Sequence, residues 1–228
     1  NYMYGGDGDD NFTGGEGYDY IKGGTGDDTM NGGNGYNEMY GGEGIDHIYG
    51  GNDNDYIDGG VDDDHLYGGN GNNEIYGREG NDNITDGDDA SYIEAGEGDD
   101  TIHAGGGDDV IDGGTGNDFI QDDHGDDTII FKAGYGVDTI WDAAGYNTIQ
   151  LSGLDIASAN FSRSGNDLTI SFGGDAIILK QYYDFYNFNI NGTDVSALIN
   201  SLHGSDNDDW MSVSNTNGDS LYGEGGND

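Results

Sequence analysis

Residues 5–49 read GGDGDDNFT, GGEGYDYIK, GGTGDDTMN, GGNGYNEMY and GGEGIDHIY, which are five successive copies of one nine-residue unit. The unit is Gly-Gly-x-Gly-x-Asp-x-apolar-x, and fourteen copies follow one another without a break from Gly5 to Ile130. The eighth position is apolar in every copy, from Phe12 to Ile129, and the sixth is Asp in eleven of the fourteen. A fixed period of this length indicates stacked, near-identical units, so the fold must follow from the unit.

Polar and apolar residues alternate only over the last three positions of the unit, which predicts a strand of three residues. The three glycines permit backbone conformations with positive φ, so the first six positions are predicted to form a tight turn. Six turn residues are too many for a two-residue hairpin. We therefore expect a coil with two units per rung, in which odd units stack into one parallel sheet and even units into the other, with the apolar residues between them.

This pattern resembles the calcium-binding nonapeptide repeat of the RTX (repeat-in-toxin) family. The resemblance is close over residues 5–130 and weaker beyond, and fourteen copies in frame make it specific. It implies an all-β fold, a right-handed parallel β-roll, with calcium between turns that stack on the same edge. In the family, the Asp at position six and main-chain carbonyls of the turn supply the oxygens, which suits a hard cation that takes six to eight oxygen ligands.

The resemblance makes the position-six aspartates candidate calcium ligands, together with one Asp of a degenerate repeat beyond a two-residue insertion: Asp10, Asp19, Asp28, Asp46, Asp55, Asp64, Asp82, Asp100, Asp109, Asp118, Asp127 and Asp138. Weaker or secondary candidates are Asn37, Asn73 and Asp208. Examples of main-chain carbonyl ligands are expected at Gly23, Thr25, Gly26, Gly41, Glu43, Gly44, Gly113, Thr115 and Gly116. Seven units on each edge offer six gaps each, hence up to about twelve Ca²⁺ ions in residues 5–130.

The departures from Asp at position six are Asn37, Asn73 and Ser91, which all fall in even-numbered units. The odd edge is therefore predicted to hold a full calcium row. The even edge is predicted to be weakest between units eight and ten, because neither Asn73 nor Ser91 brings a negative charge. In the alternative interpretation, the irregular units are neutral drift that still folds.

The formal net charge of −42 makes the chain unsuited to binding nucleic acid or an anionic membrane surface through charge. There is no Cys for disulfides, and no apolar run approaches the length of a membrane span. HExxH, GxSxG and GxxxxGK[ST] motifs are absent, and the repeat already explains the many paired carboxylates. The sequence therefore predicts that the chain is not an enzyme.

Stacked carboxylates on one edge recur at roughly the 4.8 Å spacing of neighbouring strands. Each neighbouring pair then repels by roughly 0.9 kcal/mol in a water-like dielectric, or about 3.5 kcal/mol at an effective dielectric constant of 20. Over the six gaps of a row the repulsion is comparable with the whole stability of a domain, about 5–15 kcal/mol. We therefore predict that the chain is disordered without metal, and that calcium binding and folding are one event.

The composition divides the chain into a repeat block over 1–150, a flanking segment over 151–202 and the start of a second, truncated repeat block over 203–228. In the flank, the runs 168–172 and 176–179 predict a hairpin, and Asp194 begins a predicted short helix that ends near Leu202. We expect this β-rich flank to cap the stack, since a last rung would otherwise expose an apolar face. Both termini fall inside repeats, which predicts a fragment of a longer protein.

The family resemblance implies a module of a larger exported bacterial toxin, adhesin or exoenzyme, which folds on Ca²⁺ binding outside the cell and supports type I secretion. The expected partners are Ca²⁺, the rest of the parent polypeptide and the type I secretion machinery, at a secreted or cell-surface location. An adhesin-type binding module remains the alternative. It would use outward tyrosines such as Tyr40 and Tyr76, or the aromatic cluster over 182–188, to contact a glycan or another partner.

Overall fold

A computed structural model describes residues 1–142, 144–181 and 188–194 of the chain. Over these residues the chain winds into an all-β solenoid with two sheets of eleven strands each, and its first seventeen strands alternate between the two sheets. Pairing within the repeats is parallel, and its register joins residues that are 18 positions apart, as in Met3 with Ile21 and Ile84 with Ile102. This offset equals two units, so the prediction of two units per rung is confirmed.

The first sheet contains, in spatial order, β1 (Tyr2–Asp7), β3 (Asp19–Thr25), β5 (Asn37–Glu43), β7 (Tyr56–Val61), β9 (Glu74–Glu79), β11 (Tyr92–Glu97), β13 (Val110–Thr115), β15 (Thr128–Lys132), β17 (Asn147–Ser152), β21 (Phe188–Ile190) and β22 (Thr193–Asp194). The second sheet contains β18 (Asn160–Ser164), β19 (Asp167–Phe172), β20 (Asp175–Leu179), β16 (Val137–Asp142), β14 (Phe119–His124), β12 (Thr101–Gly106), β10 (Asn83–Thr85), β8 (His65–Gly69), β6 (His47–Asn52), β4 (Thr29–Asn34) and β2 (Asn11–Glu16).

Most strands of the repeat block are longer than the three residues predicted from the alternation of polar and apolar positions. A typical strand such as β4 has six residues, because it continues into the first three positions of the next unit. The glycine at position two pairs in register with its equivalent, as in Gly6 with Gly24. Its φ is positive, +130° at Gly24, and a Cβ there would overlap the carbonyl oxygen of Gly6. The turn that reverses the chain is therefore confined to positions four to six.

The apolar residues of position eight form the interior of the solenoid, as the sequence predicts. From Ile21 to Ile129 each of them is at most 2% exposed, and Phe12 in the first unit is partly buried against the same cluster. In most of the repeat block one large apolar side chain per strand fills the space between the sheets, so the core is narrow. The edges of the sheets, where the turns stack, therefore lie close to this apolar centre.

The flanking segment extends the second sheet. The predicted hairpin is confirmed: β19 and β20 are antiparallel, and β20 pairs in parallel with β16. Leu168, Ile170 and Ile177 are buried in the same core. The one helical element in the described part of the chain is a 3₁₀ turn over Ile156–Ser158, so no described helix is long enough to cross a bilayer. Asp194 ends β22, and the predicted helix beyond it lies outside the described residues, as does the segment 203–228.

Candidate metal centre

The position-six aspartates of the odd units form a continuous ladder along one edge of the solenoid. In each step the Oδ1 atom of one Asp accepts a hydrogen bond from the backbone N–H of the equivalent residue two units earlier. The donor–acceptor distances range from 2.7 to 3.1 Å over seven steps, from Asp10 N–H to Asp28 through to Asp118 N–H to Asp138. The last step spans 20 residues, which accommodates the two-residue insertion, and it places Asp138 in the row. Stacking of units i and i+2 on one edge is therefore confirmed.

The second oxygen of these carboxylates has no hydrogen-bond partner although it is buried. This holds for Oδ2 of Asp28, Asp46, Asp64, Asp82, Asp100 and Asp118. In the ladder from Asp28 to Asp118 each aspartate is at most 1% exposed. Removing a carboxylate from water without a compensating partner is costly, so buried charges in proteins are normally paired or coordinate a metal. A bound cation would therefore stabilise these carboxylates along the whole row.

In the units that have glycine at position one, the unpartnered oxygen faces a small cradle over that glycine. A Cβ added to Gly23 would overlap Oδ2 of Asp28 and lie 2.7 Å from the carbonyl oxygen of Gly41 in the next turn of that edge. A carboxylate oxygen and a carbonyl oxygen from successive turns therefore both lie within 3 Å of one point. Anionic and neutral oxygens converging between turns are the donor set that Ca²⁺ prefers, so the residues present fit the ion.

Burial raises the pKa values of these carboxyl groups, and the backbone hydrogen bond to Oδ1 opposes that rise. The pKa is raised to about 7 for Asp46, about 8 for Asp64, about 6 for Asp82 and about 8 for Asp100. Neighbouring carboxylates of the row add to the effect at Asp46, Asp64 and Asp100. The fold therefore disfavours the charged form of its own ligands, and a bound cation would reverse that preference.

The predicted carbonyl ligands occupy three different environments. The position-one carbonyls of Gly23 and Gly41 face the cradles. The position-three carbonyls of Thr25, Glu43 and Thr115 accept N–H groups from the neighbouring turn at 2.7 to 2.8 Å, which leaves each a second lone pair. The position-four carbonyls of Gly26, Gly44 and Gly116 follow in the same turns, and that of Gly26 lies 2.5 Å from where a Cβ on Gly44 would be. Gly113 lies against Oδ2 of Asp118.

The even edge carries the same ladder with substitutions. Asn73 and Ser91 keep the backbone hydrogen bonds: Asp55 N–H donates to Asn73 Oδ1 at 2.9 Å and Asn73 N–H to Ser91 Oγ at 3.0 Å. Asn37 N–H donates to Asp55 Oδ1 at 2.8 Å, but Oδ1 of Asn37 itself is buried without a hydrogen-bond partner. Asp19, Asp55, Asp109 and Asp127 also belong to this edge and have an unpartnered, buried Oδ2. The amide nitrogen of Asn37 takes the place of that free oxygen and donates to the carbonyl of Gly35 at 2.8 Å. An Asn therefore preserves the fold and removes the ligand.

Between units eight and ten the charge missing at position six is replaced from position one. Asp86 stands there instead of Gly, and its Oδ1 accepts a hydrogen bond from Asn73 Nδ2 at 2.8 Å. That same oxygen lies in the space over Gly68, and Oδ2 of Asp86 is buried without a partner. Because Ser91 is short, unit ten has room for this exchange. That calcium binding on this edge is weakest between units eight and ten stays a prediction. The junction does contain one carboxylate, that of Asp86, which the residues at position six do not predict.

Asp122 also occupies position one, in unit fourteen, and lies on the same edge. One carboxylate oxygen from each of Asp109, Asp122 and Asp127 lies within 4.8 Å of the other two, and all three residues are buried. Position six alone does not predict Asp122 and Asp86 as candidate ligands. The available signal was their departure from Gly at the first position of the unit, where the only other side chains are the methyl groups of Ala95 and Ala104.

Aspartates at position four, where the repeat has Gly, reinforce the stack. Asp53 and Asp62 adopt positive φ, +71° and +85°. Oδ2 of Asp53 accepts the N–H of Gly35 at 3.0 Å, Oδ2 of Asp62 that of Gly44 at 3.2 Å, and Oδ2 of Asp89 that of Gly71 at 2.9 Å. These side chains hold turns together from outside the cradles. The secondary ligand predicted at Asp208 lies outside the described residues.

The family model of the RTX calcium-binding nonapeptide repeat matches the chain over residues 4–39, 40–75, 58–93, 76–111, 85–120 and 103–137. These overlapping matches span 4–137, more than half of the 228 residues. No curated protein matches the chain. The matched region contains both ladders of buried carboxylates.

Proposed function

Because the chain belongs to the RTX calcium-binding nonapeptide repeat family, and is thus a calcium-binding β-roll module, we propose that it is a folding switch of a larger exported protein. At the low calcium of the bacterial cytosol the repeat block stays unfolded and can be threaded through a secretion channel. At the higher calcium outside the cell it folds. Extracellular modules of this kind bind calcium with dissociation constants of about 10⁻⁴–10⁻³ M, which suits such a switch.

The observation that carries this proposal is the row of buried aspartates with one unpartnered oxygen each. A native state that buries so many uncompensated carboxylates cannot be stable by itself, since most strands of the repeat block supply one large apolar side chain to a narrow core. Ions that bind only the folded chain add their binding free energy to folding. The proposed switch follows from this coupling.

We expect the purified chain to lack cooperative β structure in EDTA and to gain it in a sharp transition when Ca²⁺ is added. Far-UV circular dichroism during a calcium titration measures the transition. Mg²⁺ serves as the control. It should not replace Ca²⁺, because it demands shorter, near-octahedral coordination and keeps several of its water ligands. A chain that is compact and cooperatively folded in EDTA would contradict the proposed function.

Export by a type I machinery, a secreted or surface location and the absence of catalytic activity in this chain belong to the same proposal. The family match supports the first two, because such repeats are typical of secreted bacterial proteins. The third is supported by the lack of catalytic motifs and by the repeat pattern, which accounts for the acidic residues. The activity of the parent protein would then lie outside this chain.

A second candidate function, binding of a glycan, is favoured by the outer face of the first sheet. Tyrosine rings there form a zigzag row across five successive strands, with neighbouring centroids 5.3 to 5.8 Å apart: Tyr20, Tyr40, Tyr56, Tyr76 and Tyr92. On four of these strands the other outward position is acidic, at Glu38, Asp58, Glu74 and Glu94. Aromatic rings with polar edges beside carboxylate acceptors suit the flat faces and hydroxyl groups of sugars.

This candidate predicts that the calcium-loaded chain binds neutral glycans on an array. Replacing Tyr40, Tyr56 and Tyr76 by Thr should abolish that binding and keep the strands, since Thr also favours β structure. The matched control replaces Tyr49 and Tyr67, whose rings stack at 4.7 Å on the other sheet. Equal loss in both variants, or no binding by the unaltered chain, would exclude the tyrosine row as a glycan site.

A further inference from the structure

Three aspartates occupy position one of even units or of the degenerate repeat that follows them: Asp86, Asp122 and Asp142. Two of them meet an amide donor. Asp86 accepts from Asn73 Nδ2 at 2.8 Å, and Asp142 accepts a short hydrogen bond from Asn147 Nδ2. Asp122 is different, because the position-six residues beside it are Asp109 and Asp127. A carboxylate has no proton to donate, so these neighbours cannot satisfy it.

The hydrogen bonds around Asp122 leave three oxygens free. Oδ1 of Asp122 accepts the N–H of Asp123 at 2.8 Å. Oδ1 of Asp109 accepts from Ser91 N–H at 2.7 Å, and Oδ1 of Asp127 from Asp109 N–H at 2.8 Å. The Oδ2 atoms of Asp109, Asp122 and Asp127 are buried and have no partner. None of the four ion pairs among the described residues reaches this cluster.

The backbone makes room for the extra side chain. At a regular position one, a Cβ would overlap or crowd the position-six carboxylate, as at Gly14 beside Asp19. In unit fourteen the pairing between β12 and β14 shifts register, so that Gly105 pairs with Asp122 and Gly106 with His124. With this shift the Asp122 side chain is accommodated at position one, and its exposed fraction is 1%.

We propose that Asp122 adds a third carboxylate to the gap between Asp109 and Asp127, and that the resulting three-carboxylate calcium site loads before the other sites of the roll. Oxygens that bind one Ca²⁺ at about 2.3–2.6 Å lie at most about 5 Å apart, and one oxygen from each of the three carboxylates lies within 4.8 Å of the other two. Calcium affinity rises with the number of charged ligands, and a regular gap receives fewer carboxylate oxygens than this one. The inference rests on the proposed calcium-dependent folding and adds an order of loading to it.

The test is an isothermal titration of the full chain with Ca²⁺, followed in parallel by circular dichroism. We expect a first step of one ion, at a calcium concentration at least tenfold below that of the remaining ions. Asp122→Gly, which restores the repeat consensus, should lose that step and still fold through the regular sites. Asp122→Asn should weaken it at least tenfold. Asp123→Asn removes the same charge from an exposed neighbour and should leave the first step unchanged.

Two results would overturn the proposal while leaving the proposed function intact. In one, the unaltered chain folds with calcium but binds all ions in a single class. In the other, the early step survives Asp122→Gly, as it would if Asp122 and Asp127 shared a proton instead of an ion. Failure of calcium to fold any of these chains would instead contradict the proposed function itself.

Discussion

In calcium-free buffer the chain is expected to gain β structure as the pH is lowered from about 8 to about 5. Burial holds the pKa of Asp46 near 7 and those of Asp64, Asp100 and Asp138 near 8. An unfolded Asp titrates at about 3.9. Between these values the folded chain binds more protons than the unfolded chain, so the free energy of unfolding rises as the pH falls. Protons thus replace calcium in neutralising the ladders.

The gain should end below about pH 4, where the aspartates of the unfolded chain are protonated as well. Circular dichroism and size-exclusion chromatography after removal of calcium on a chelating resin would measure it. In the same pH range calcium should bind the folded chain less tightly as the pH falls, because protons compete for the same oxygens. An apo chain that stays unfolded at pH 5 but folds with calcium at pH 7.5 would show that carboxylate repulsion is not what keeps it unfolded.

The period of the sequence was sufficient to predict the coil and its register. Nine residues per unit, an apolar residue at position eight and a turn rich in glycine admit one arrangement in which every apolar side chain is covered. The offset of 18 residues in the strand pairing, as in Ile57 with Ile75, is that arrangement. The three-residue strands predicted from the sequence are too short, because that prediction assigns every glycine to the turn. Without side chains, the glycines at positions one and two extend the strand and let successive turns approach closely.

The candidate site was predictable to the extent that one position of the unit determines it. Position six identified the rows, but Asp86 and Asp122 act from position one, where the pattern suggests only a small residue. Each of these side chains fits for a local reason: Asp86 beside the short Ser91, and Asp122 where the strand pairing shifts register. Neither local arrangement can be derived from the repeat pattern alone.

The tyrosine row is a third feature that the unit conceals. Tyr40 and Tyr76 stand at position nine, whereas Tyr56 and Tyr92 stand at position seven. The four tyrosines therefore do not all occupy the same position of the repeat. They meet because pairing brings alternate positions of successive strands within 5.3 to 5.8 Å. Sequence alone suggests scattered outward tyrosines with good strand propensity, whereas the sheet joins them into one surface.

Replacing Asp46, Asp64 and Asp82 together by Asn is expected to have opposite effects with and without calcium. The chain itself demonstrates that Asn is compatible with the ladder: Asp55 N–H donates to Asn73 Oδ1 at 2.9 Å, as it would to an Asp. In calcium-free buffer the triple variant should be the more ordered one, because three buried charges and their mutual repulsion are gone. With calcium it should be the weaker one.

The loss with calcium follows from the second atom of each side chain. In Asn37 the amide nitrogen occupies the cradle over Gly32, where Asp46 presents a free oxygen over Gly41. A nitrogen that carries protons cannot bind a cation, so the four gaps on either side of the three replaced residues lose ligands. We expect the calcium midpoint of folding to rise at least tenfold and the transition to become broader, because the odd row is interrupted at its centre.

The matched control replaces Glu43, Glu79 and Glu97 by Gln. It removes the same three charges from exposed residues at position three of units on the same edge. If net charge alone kept the apo chain unfolded, control and ladder variants would gain order equally without calcium, and the calcium midpoint would move little in either. If buried, unpartnered carboxylates are responsible, only the ladder variant changes in both conditions. It becomes more ordered without calcium and folds less readily with calcium. That reversal separates a metal-ligand row from a surface that is merely acidic, because long-range repulsion between exposed charges is screened by salt whereas the cost of a buried carboxylate is not.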